Sequence, residues 1–346
     1  MRASGPRSET ALAEPTVWAL LDDRPGHATQ ARGVAESLGW DHQLKPLHYR
    51  PGAEWLAPIL GASLLHLKAS ARNQFRGPLP DIVIAAGRRT ETAARWIKNR
   101  SRGRTVVIYL MQPAWKRGID LSIVPSHDQP AASDGVMTTL GPPHRLTRAV
   151  ISNAARQVTR QLEDSSRPQI AVLVGGSSKR AVFDRGEAER LVRQVRDLAG
   201  RLDAELLVTT SRRTGVAQSD YLKRALQPRL FHGFGSEGPN PYPGLLGLAS
   251  RVVVTSDSAS MMAEACFAGV PVHLFDVKGT PAKLKTLATG LEDGGWIRPW
   301  TDEGASLPPP LDVKEDAAQA IRRLWTNRQT QPNWPHSISR SRTSLD

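Results

Sequence analysis

The chain has 346 residues, 46 Lys and Arg against 33 Asp and Glu, a formal net charge of +13 and one cysteine, Cys266. A single cysteine excludes a disulfide framework and a cysteine-based zinc site, and no apolar run approaches the ~20 residues of a membrane-spanning helix. With 40% hydrophobic and 23% charged residues the composition is that of a globular protein, long enough for two domains.

In chain order, short β-branched apolar runs predict strands near 17–21, 81–86, 105–110, 121–124, 170–174, 205–209, 251–255 and 272–275. Helical patterns lie between them near 28–38, 90–100, 184–200, 215–226, 260–268 and 312–327. This alternation predicts parallel sheets covered on both faces. A polar helical pattern near 144–163, followed by Ser165-Ser166-Arg167-Pro168, separates two sets of strands. The expected division is a flexible N-terminus over 1–15, a first Rossmann-like domain over 16–165, a second over 166–326 and a flexible tail over 327–346. Residues 1–15 hold Arg2, Arg7, Glu9 and Glu14 with no apolar core, so no secretory signal is expected and the compartment reads as cytoplasmic.

The charge is local. Residues 68–104 hold ten basic side chains against Asp81 and Glu91, which accounts for the whole net excess of residues 1–166. Aromatic residues are only 5% of the chain, and no basic stripe carries interleaved rings, so nucleic acid ranks last among anionic partners. Phosphorylated ligands and an anionic membrane face remain. In the stretch 53–76, Trp55, Leu56, Ile59, Leu60, Leu64, Leu65 and Leu67 precede Lys68, Arg72 and Arg76. That pattern reads either as a core helix on the first sheet or as a helix lying on a membrane surface.

Several strand ends carry chemistry. The first strand runs into Asp22-Asp23-Arg24-Pro25-Gly26-His27, where Gly26 permits a tight turn and His27 can act as a general base. Gly87-Arg88-Arg89-Thr90 and Ser211-Arg212-Arg213-Thr214 each place two arginines where a strand hands over to a helix, a position that suits phosphate or carboxylate. Val174-Gly175-Gly176-Ser177 offers backbone N–H groups as a phosphate cradle, without P-loop or dinucleotide spacing. After the strand at 252–254, Ser256 or Ser258 can cap a helix that starts about Ser260, and Glu264 lies one turn on, where its carboxylate can accept both hydroxyls of a ribose. Cys266 reads as a small packing residue. His127 beside Asp128 is a secondary candidate on the first domain, and no His, Asp or Glu set has metal-ligand spacing.

These pieces carry a resemblance. Ser258–Pro271 is similar to the nucleotide-sugar site of GT-B glycosyltransferases, and the Val174–Ser177 turn resembles the donor-diphosphate loop of the peptidoglycan N-acetylglucosaminyltransferases. As a whole the chain resembles the elongated-mitochondria (mitochondrial fission factor) family of GT-B glycosyltransferase-like proteins, many of them bacterial. The matching segments are Asp23–His27 with Gln30, Gly87–Thr90, Pro125–Asp128, Val174–Ser177, Ser211–Thr214, Asn240-Pro241-Tyr242 and Thr255–Ser258, in order between residues 17 and 300. The resemblance implies an α/β, GT-B-like fold, with two doubly wound Rossmann-like domains facing a central cleft. It implies a metal-independent transferase with no cofactor beyond its nucleoside-diphosphate-sugar donor. Gly175, Gly176, Ser177, Ser211, Arg212, Arg213, Ser256, Asp257, Ser258, Ser260, Met261 and Glu264 are then donor-side residues. Arg24, Gly26, Gly87, Arg88, Arg89, Thr90 and His127 are acceptor-side. His27, or Asp23, takes the acceptor proton, although this chain has Arg-Pro-Gly-His where the peptidoglycan enzymes carry a glycine run.

The acceptor implied is envelope glycan or lipid-linked, with the protein peripheral at the inner membrane face. Two other readings share the architecture: a nucleotide-sugar 2-epimerase, and a non-catalytic adaptor that recruits membrane-remodelling partners.

Overall fold

A computed structural model describes residues 14–162, 165–302, 304 and 307–330. The first sheet has six strands in the order β2-β1-β3-β4-β5-β6. These are β1 (Val17–Leu21), β2 (His42–Pro46), β3 (Ile82–Ala85), β4 (Val106–Tyr109), β5 (Leu121–Pro125) and β6 (Val136–Thr139). β1 lies between β2 and β3, with Val17 opposite both His42 and Ile82 in parallel register. β3 and β4, Ile-Val-Ile-Ala and Val-Val-Ile-Tyr, are buried along their whole length, as strands covered on both faces must be. Helices α1 (Pro25–Ser37) and α4 (Arg88–Arg100) follow β1 and β3.

The second sheet has the order β11-β10-β7-β8-β9. Its strands are β7 (Gln169–Val174), β8 (Glu205–Thr210), β9 (Leu230–His232), β10 (Arg251–Thr255) and β11 (Val272–Phe275). Leu173 at its centre is flanked by Thr209 and Val254, again in parallel register. The 18-residue α6 (Arg185–Leu202) is capped by Asp184, whose side chain accepts from the Glu187 amide, and it buries Leu191, Val195 and Leu198. In both sheets the first strand is a switch point, where the chain winds first to one side and later to the other. Loops at the carboxyl ends of such neighbours form the concave sites of this architecture.

The division of the chain differs from the expected boundary near 165. The two compact units are residues 1–122 with 318–346, and residues 123–317. The reason lies in helix packing. The polar helix expected to close the first domain, α5 (Arg148–Thr159), lies against α8 (Tyr242–Leu248) of the second unit. Gly244 and Gly247 allow the approach: a Cβ at Gly247 would stand 2.8 Å from Ile151 Cγ2 and 2.9 Å from Ala155 Cβ.

The C-terminal helix α11 (Val313–Gln329) then returns the chain to the first unit. There Arg322 Nη1 donates to the carbonyls of Ser37 and Leu38 at 3.0 and 3.3 Å, covering the open end of α1, and Arg328 pairs with Asp120. The helix therefore runs past the expected start of a tail at 327. Residues 331–346, most of that tail, and residues 1–13 of the expected flexible N-terminus lie outside the described residues.

The stretch 53–76 also differs from a single helix. It forms α2 (Ala53–Leu60) and α3 (Ala69–Asn73), because Gly61 ends the first with φ +61°. Leu67 and Phe75 are buried, whereas Trp55 and Ile59 are 77% and 82% exposed.

The two glycine environments predict opposite outcomes. Gly247→Leu forces α5 from α8 and lowers stability by about 1–3 kcal/mol, whereas Gly200→Ala, open on all sides within α6, raises it by about 0.5–1 kcal/mol. Thermal unfolding of the full chain reads both; an unchanged midpoint for the Gly247 variant would contradict the packing.

Candidate functional site

In the first unit, the switch point brings the end of β1 against the end of β3. Pro25 and Gly26 are the first residues of α1, so the helix begins three residues earlier than its pattern predicted. Proline suits that position because its missing N–H has no partner there anyway. His27 consequently sits in the first turn, and its Nδ1 lies 2.6 Å from Asp22 Oδ2. The Asp22 side chain is 1% exposed. Its Oδ1 accepts from Arg89 Nη2 at 2.8 Å, and the same guanidinium pairs with the half-exposed Asp23. Arg89 also lies over the Tyr49 ring, 4.0 Å from its centroid. Burial alone would favour the protonated acid, but the hydrogen bond from His27 and the charge of Arg89 outweigh it. The Asp22 carboxyl is held below its ordinary value.

An ionised Asp22 accepts from Nδ1–H of His27, which in the neutral imidazole makes Nε2 the acceptor nitrogen. Gly87 makes this possible. It has φ +100°, and a Cβ there would stand 2.5 Å from His27 Nδ1 and 2.6 Å from Asp22 Oδ2. Thr90 is buried and donates to the Gly87 carbonyl at 2.7 Å, so it braces the turn rather than facing a ligand. Arg24 and Arg88 are exposed on either side.

In the second unit, the glycine-rich turn is used differently from the expected cradle. The Gly175 amide donates to Thr255 Oγ1 at 2.8 Å, and the Ser177 amide donates to the Arg213 carbonyl at 2.9 Å. Ser177 Oγ accepts from the Phe183 amide at 3.0 Å, and Ser211 Oγ bonds the Gly175 carbonyl. The glycines are there for close approach. A Cβ at Gly175 would lie 2.2 Å from Asp257 Oδ2, and one at Gly176 would lie 2.2 Å from the Arg213 backbone. Asp257, fully buried at its side chain, takes Arg213 Nη2 at 2.7 Å. Burial nevertheless raises its carboxyl above the ordinary value. Arg213 is thus tied to a carboxylate, while Arg212 stays exposed.

Ser258, not Ser256, caps α9 (Ala259–Phe267), accepting from the Met261 amide at 3.4 Å. Ser256 is buried and bonded to Thr280 Oγ1 at 2.6 Å and to the Val277 amide at 2.9 Å. Ser260, in the first turn of α9, is exposed, and the N-terminal turn of a helix favours negative charge. Glu264 follows one turn later. Its Oε2 accepts from the Tyr242 hydroxyl at 2.7 Å, and burial pushes its carboxyl up to about 7. Tyr242 belongs to the Asn-Pro-Tyr segment, whose partner on α9 was not legible from spacing. Cys266, on the same helix, is buried among core residues, and burial pushes its thiol up.

Other side chains at this edge escaped the sequence reading. A cavity of about 510 Å³ at the end of β8 is lined by Ser211, Arg212, Val216, Lys223, Phe231 and Phe234. Val216 and Phe234 are 79% and 67% exposed, an uncommon state for large apolar groups. No charge or motif marks them, only their place after strand ends. His127 falls in the second compact unit, not the first, in the 3-10 turn Ser126–Asp128. It is buried, which lowers its pKa against the opposing charge of Asp128, and Asp128 also faces Lys283 at 3.6 Å. Among the described residues no group of three or more His, Cys, Asp or Glu side chains is placed to hold a metal ion, and no helix is long and apolar enough to cross a membrane.

Comparison with known proteins gives a consistent picture. The family described as mitochondrial fission ELM1 matches residues 25–325. The mitochondrial fission protein ELM1 of Arabidopsis thaliana is 26% identical over 78% of this chain and 70% of its own length. An uncharacterized protein of Rickettsia prowazekii (strain Madrid E) is 25% identical over 75% of this chain and 82% of its own. Among solved structures, a UDP-N-acetylglucosamine 2-epimerase-like protein of Listeria monocytogenes superposes with a TM-score of 0.53 at 14% identity, covering 94% of this chain and 100% of that one. The UDP-GlcNAc 2-epimerase of Methanocaldococcus jannaschii gives 0.52 at 11% identity, over 90% and 99%. The chain therefore has a GT-B-like α/β fold.

The partly buried Glu264 makes stability depend on pH. The unfolded carboxyl titrates near 4.5 and the folded one at about 7, so the native state keeps a proton that the unfolded chain has released. That contribution is full below pH 4.5 and is lost as pH rises through 7, an effect on the order of 3 kcal/mol. Glu264→Gln removes it. Denaturant unfolding across that range should show a flatter profile for the variant, and identical profiles would contradict the burial of Glu264.

Proposed function

The chain belongs to the mitochondrial fission ELM1 family, and from that premise we propose that it is a glycosyltransferase using a nucleoside-diphosphate sugar. The observation that carries the catalytic reading is the 2.6 Å contact between His27 and the buried Asp22. A carboxylate that orients an imidazole with a free Nε2 is the arrangement a general base needs to take a proton from an acceptor hydroxyl. Asp23 is the lesser candidate, because Arg89 holds its carboxylate.

The donor belongs to the second unit. Glu264 accepts the ribose hydroxyls once Tyr242 yields its hydrogen bond. The first turn of α9 receives the diphosphate, with Ser258 and Ser260 at its start and Met261 beside them. The base enters the cavity bounded by Val216 and Phe234. Charge on the departing nucleoside diphosphate is then stabilised by helix amides and by Arg212, which requires no divalent ion. Gly175, Gly176, Ser211 and Asp257 act beneath this surface by fixing Arg213 and the loop. That solved proteins of this fold include an epimerase bound to UDP-GlcNAc supports a uridine nucleotide as the first donor to test.

A second reading, 2-epimerisation, is favoured by the fold likeness to those epimerases. Incubation with UDP-GlcNAc and no acceptor separates the two, since epimerisation without release of UDP would replace transfer. The adaptor reading rests on the fission protein of Arabidopsis thaliana and predicts no affinity for nucleotide at all.

Calorimetric titration with UDP and a turnover assay test the main proposal together. Glu264→Ala should weaken UDP binding by about tenfold or more. Asp22→Asn should leave that binding within about twofold and lower turnover by about 10²–10⁴. Unchanged binding in the first variant would overturn the donor assignment, and unchanged turnover in the second would overturn the base.

The acceptor we assign is lipid-linked. Trp55, Ile59 and Leu65 are exposed at 77%, 82% and 57% on and after α2, with basic Arg50 and Lys68 close in sequence. The segment adjoins the base, since His66 Nε2 lies 2.9 Å from the Arg89 carbonyl. Apolar side chains beside basic ones suit an anionic membrane surface. In vesicle flotation the protein should bind anionic vesicles, and Trp55→Ser with Ile59→Ser should lower binding by about tenfold. Equal flotation of the variant would contradict the membrane assignment.

A further inference from the structure

We propose that the first unit carries a second ligand site, for a small phosphate ester bearing a flat ring, at the edge of its sheet opposite to Asp22 and His27. The site is a cavity of about 620 Å³ at the amino ends of β3 and β4, flanked by Asp81 and Thr105, the residues just before those strands. The Asp22–His27 pair lies beyond the carboxyl ends of β1 and β3, so one pocket cannot serve both edges. The volume lies within the roughly 300–1,000 Å³ typical of small-molecule sites.

Two kinds of side chain line the cavity. Phe75, Trp96 and Trp325 form an aromatic wall. Phe75 meets Trp96 edge-on at 6.0 Å and Trp18 at 6.1 Å, which braces the rings from behind. Trp325 comes from α11, and Arg322 and Arg328 of the same helix anchor it to Ser37, Leu38 and Asp120. Neither indole N–H makes a hydrogen bond among the described residues, so both donors remain for a ligand.

Arg76, Arg100 and Arg104 supply positive charge. Arg76 and Arg100 are exposed and have no acidic partner among the described residues. Arg104 spends only its Nε, on the Ser101 carbonyl at 3.2 Å. The one carboxylate of the lining, Asp81, is turned to Thr16, whose amide and hydroxyl both reach its Oδ2 at 2.9 Å.

These observations select the ligand's chemistry. Free guanidinium forks are matched to phosphate oxygens. Indole faces and edges hold flat rings by stacking, and an N–H at the rim can reach a ring nitrogen or a hydroxyl. An inorganic anion would leave the aromatic wall unused, and an uncharged ring would leave three cations unmatched. A cavity of about 620 Å³ suits a small molecule rather than a nucleic-acid strand. The site also uses Arg76, Arg100 and Arg104, three of the ten basic residues between 68 and 104, none of which the candidate reaction site employs.

The experiment is calorimetric titration of the full chain with adenosine 5′-monophosphate, and in parallel with adenosine and with inorganic phosphate. Each titration is repeated on Glu264→Ala and on the Arg76→Gln/Arg100→Gln double variant, whose exposed positions keep the fold intact, as thermal melting verifies. The nucleotide should bind saturably and at least about tenfold tighter than either half alone. The double variant should lose at least about tenfold in affinity, while Glu264→Ala retains it. Absence of saturable binding, an unaffected double variant, or inorganic phosphate binding as tightly as the nucleotide would each overturn the proposal. Loss of nucleotide binding in Glu264→Ala would assign it to the donor site, overturning this inference and leaving the donor reading intact.

Discussion

A carboxylate that is almost completely removed from solvent must be compensated by nearby donors or take up a proton. Asp22 is such a group, and the loops around it are arranged to keep it charged. His27 reaches one oxygen from the first turn of α1, and Arg89 reaches the other from the first turn of α4. A side chain at Gly87, where the chain enters α4, would collide with the His27–Asp22 pair, because a Cβ there would stand 2.5 Å from His27 Nδ1 and 2.6 Å from Asp22 Oδ2. The parallel order of β1 beside β3 is what brings those two helix starts together. Thus the sheet topology, one glycine and one buried charge are linked through His27 and Arg89.

The second unit solves a related problem with the opposite electrostatic result. Its glycines also admit a buried carboxylate, Asp257, which takes the Arg213 guanidinium, and burial raises its carboxyl. Arg213 is therefore a structural cation, and the positive character left for an anion comes from the first turn of α9 and the exposed Arg212. The overall charge of +13 consequently divides into unlike uses. Arg89 and Arg213 neutralise buried acids, Arg322 covers carbonyls at the end of α1, and Arg76 and Arg100 remain open to solvent in a separate cavity. Net charge alone could not separate these uses, because each depends on which partner the fold supplies.

Much of the fold was legible because parallel strands buried on both faces leave continuous apolar runs. β1, β10 and β11 match their predicted bounds, and the predicted helices differ by a few residues at their ends, whereas α8 and the helix Ala282–Asp293 were not predicted. β2, β6 and β9 were missed: β2 is a partly exposed edge strand containing His42, Lys45 and Pro46, β6 (Val-Met-Thr-Thr) is a partly exposed edge strand of four residues, and β9 is three residues long. The unit boundary was missed because α5 packs by shape, through glycines on a helix far along the chain, and nothing in its own pattern names that partner.

At the candidate site, residues flanking strand ends were found, since the strand-to-helix handover is itself a sequence signal. Their division of labour was not. Asp22 and Asp23 are adjacent and chemically identical in sequence, yet one is buried against His27 and the other is half exposed. Ser256 and Ser258 differ in the same way. Tyr242 could not be matched to Glu264 without the fold, because 22 residues and a strand separate them.

The central claim is that Asp22 holds His27 ready to accept a proton at Nε2. Nitrogen-15 NMR of the histidine side chains, with His27 assigned by substitution, reads this directly at neutral pH. The account predicts a protonated Nδ1 strongly hydrogen-bonded to carboxylate and an unprotonated Nε2, with that preference lost in Asp22→Asn. A His27 found with its proton on Nε2, or one indifferent to the Asp22 substitution, would contradict the account.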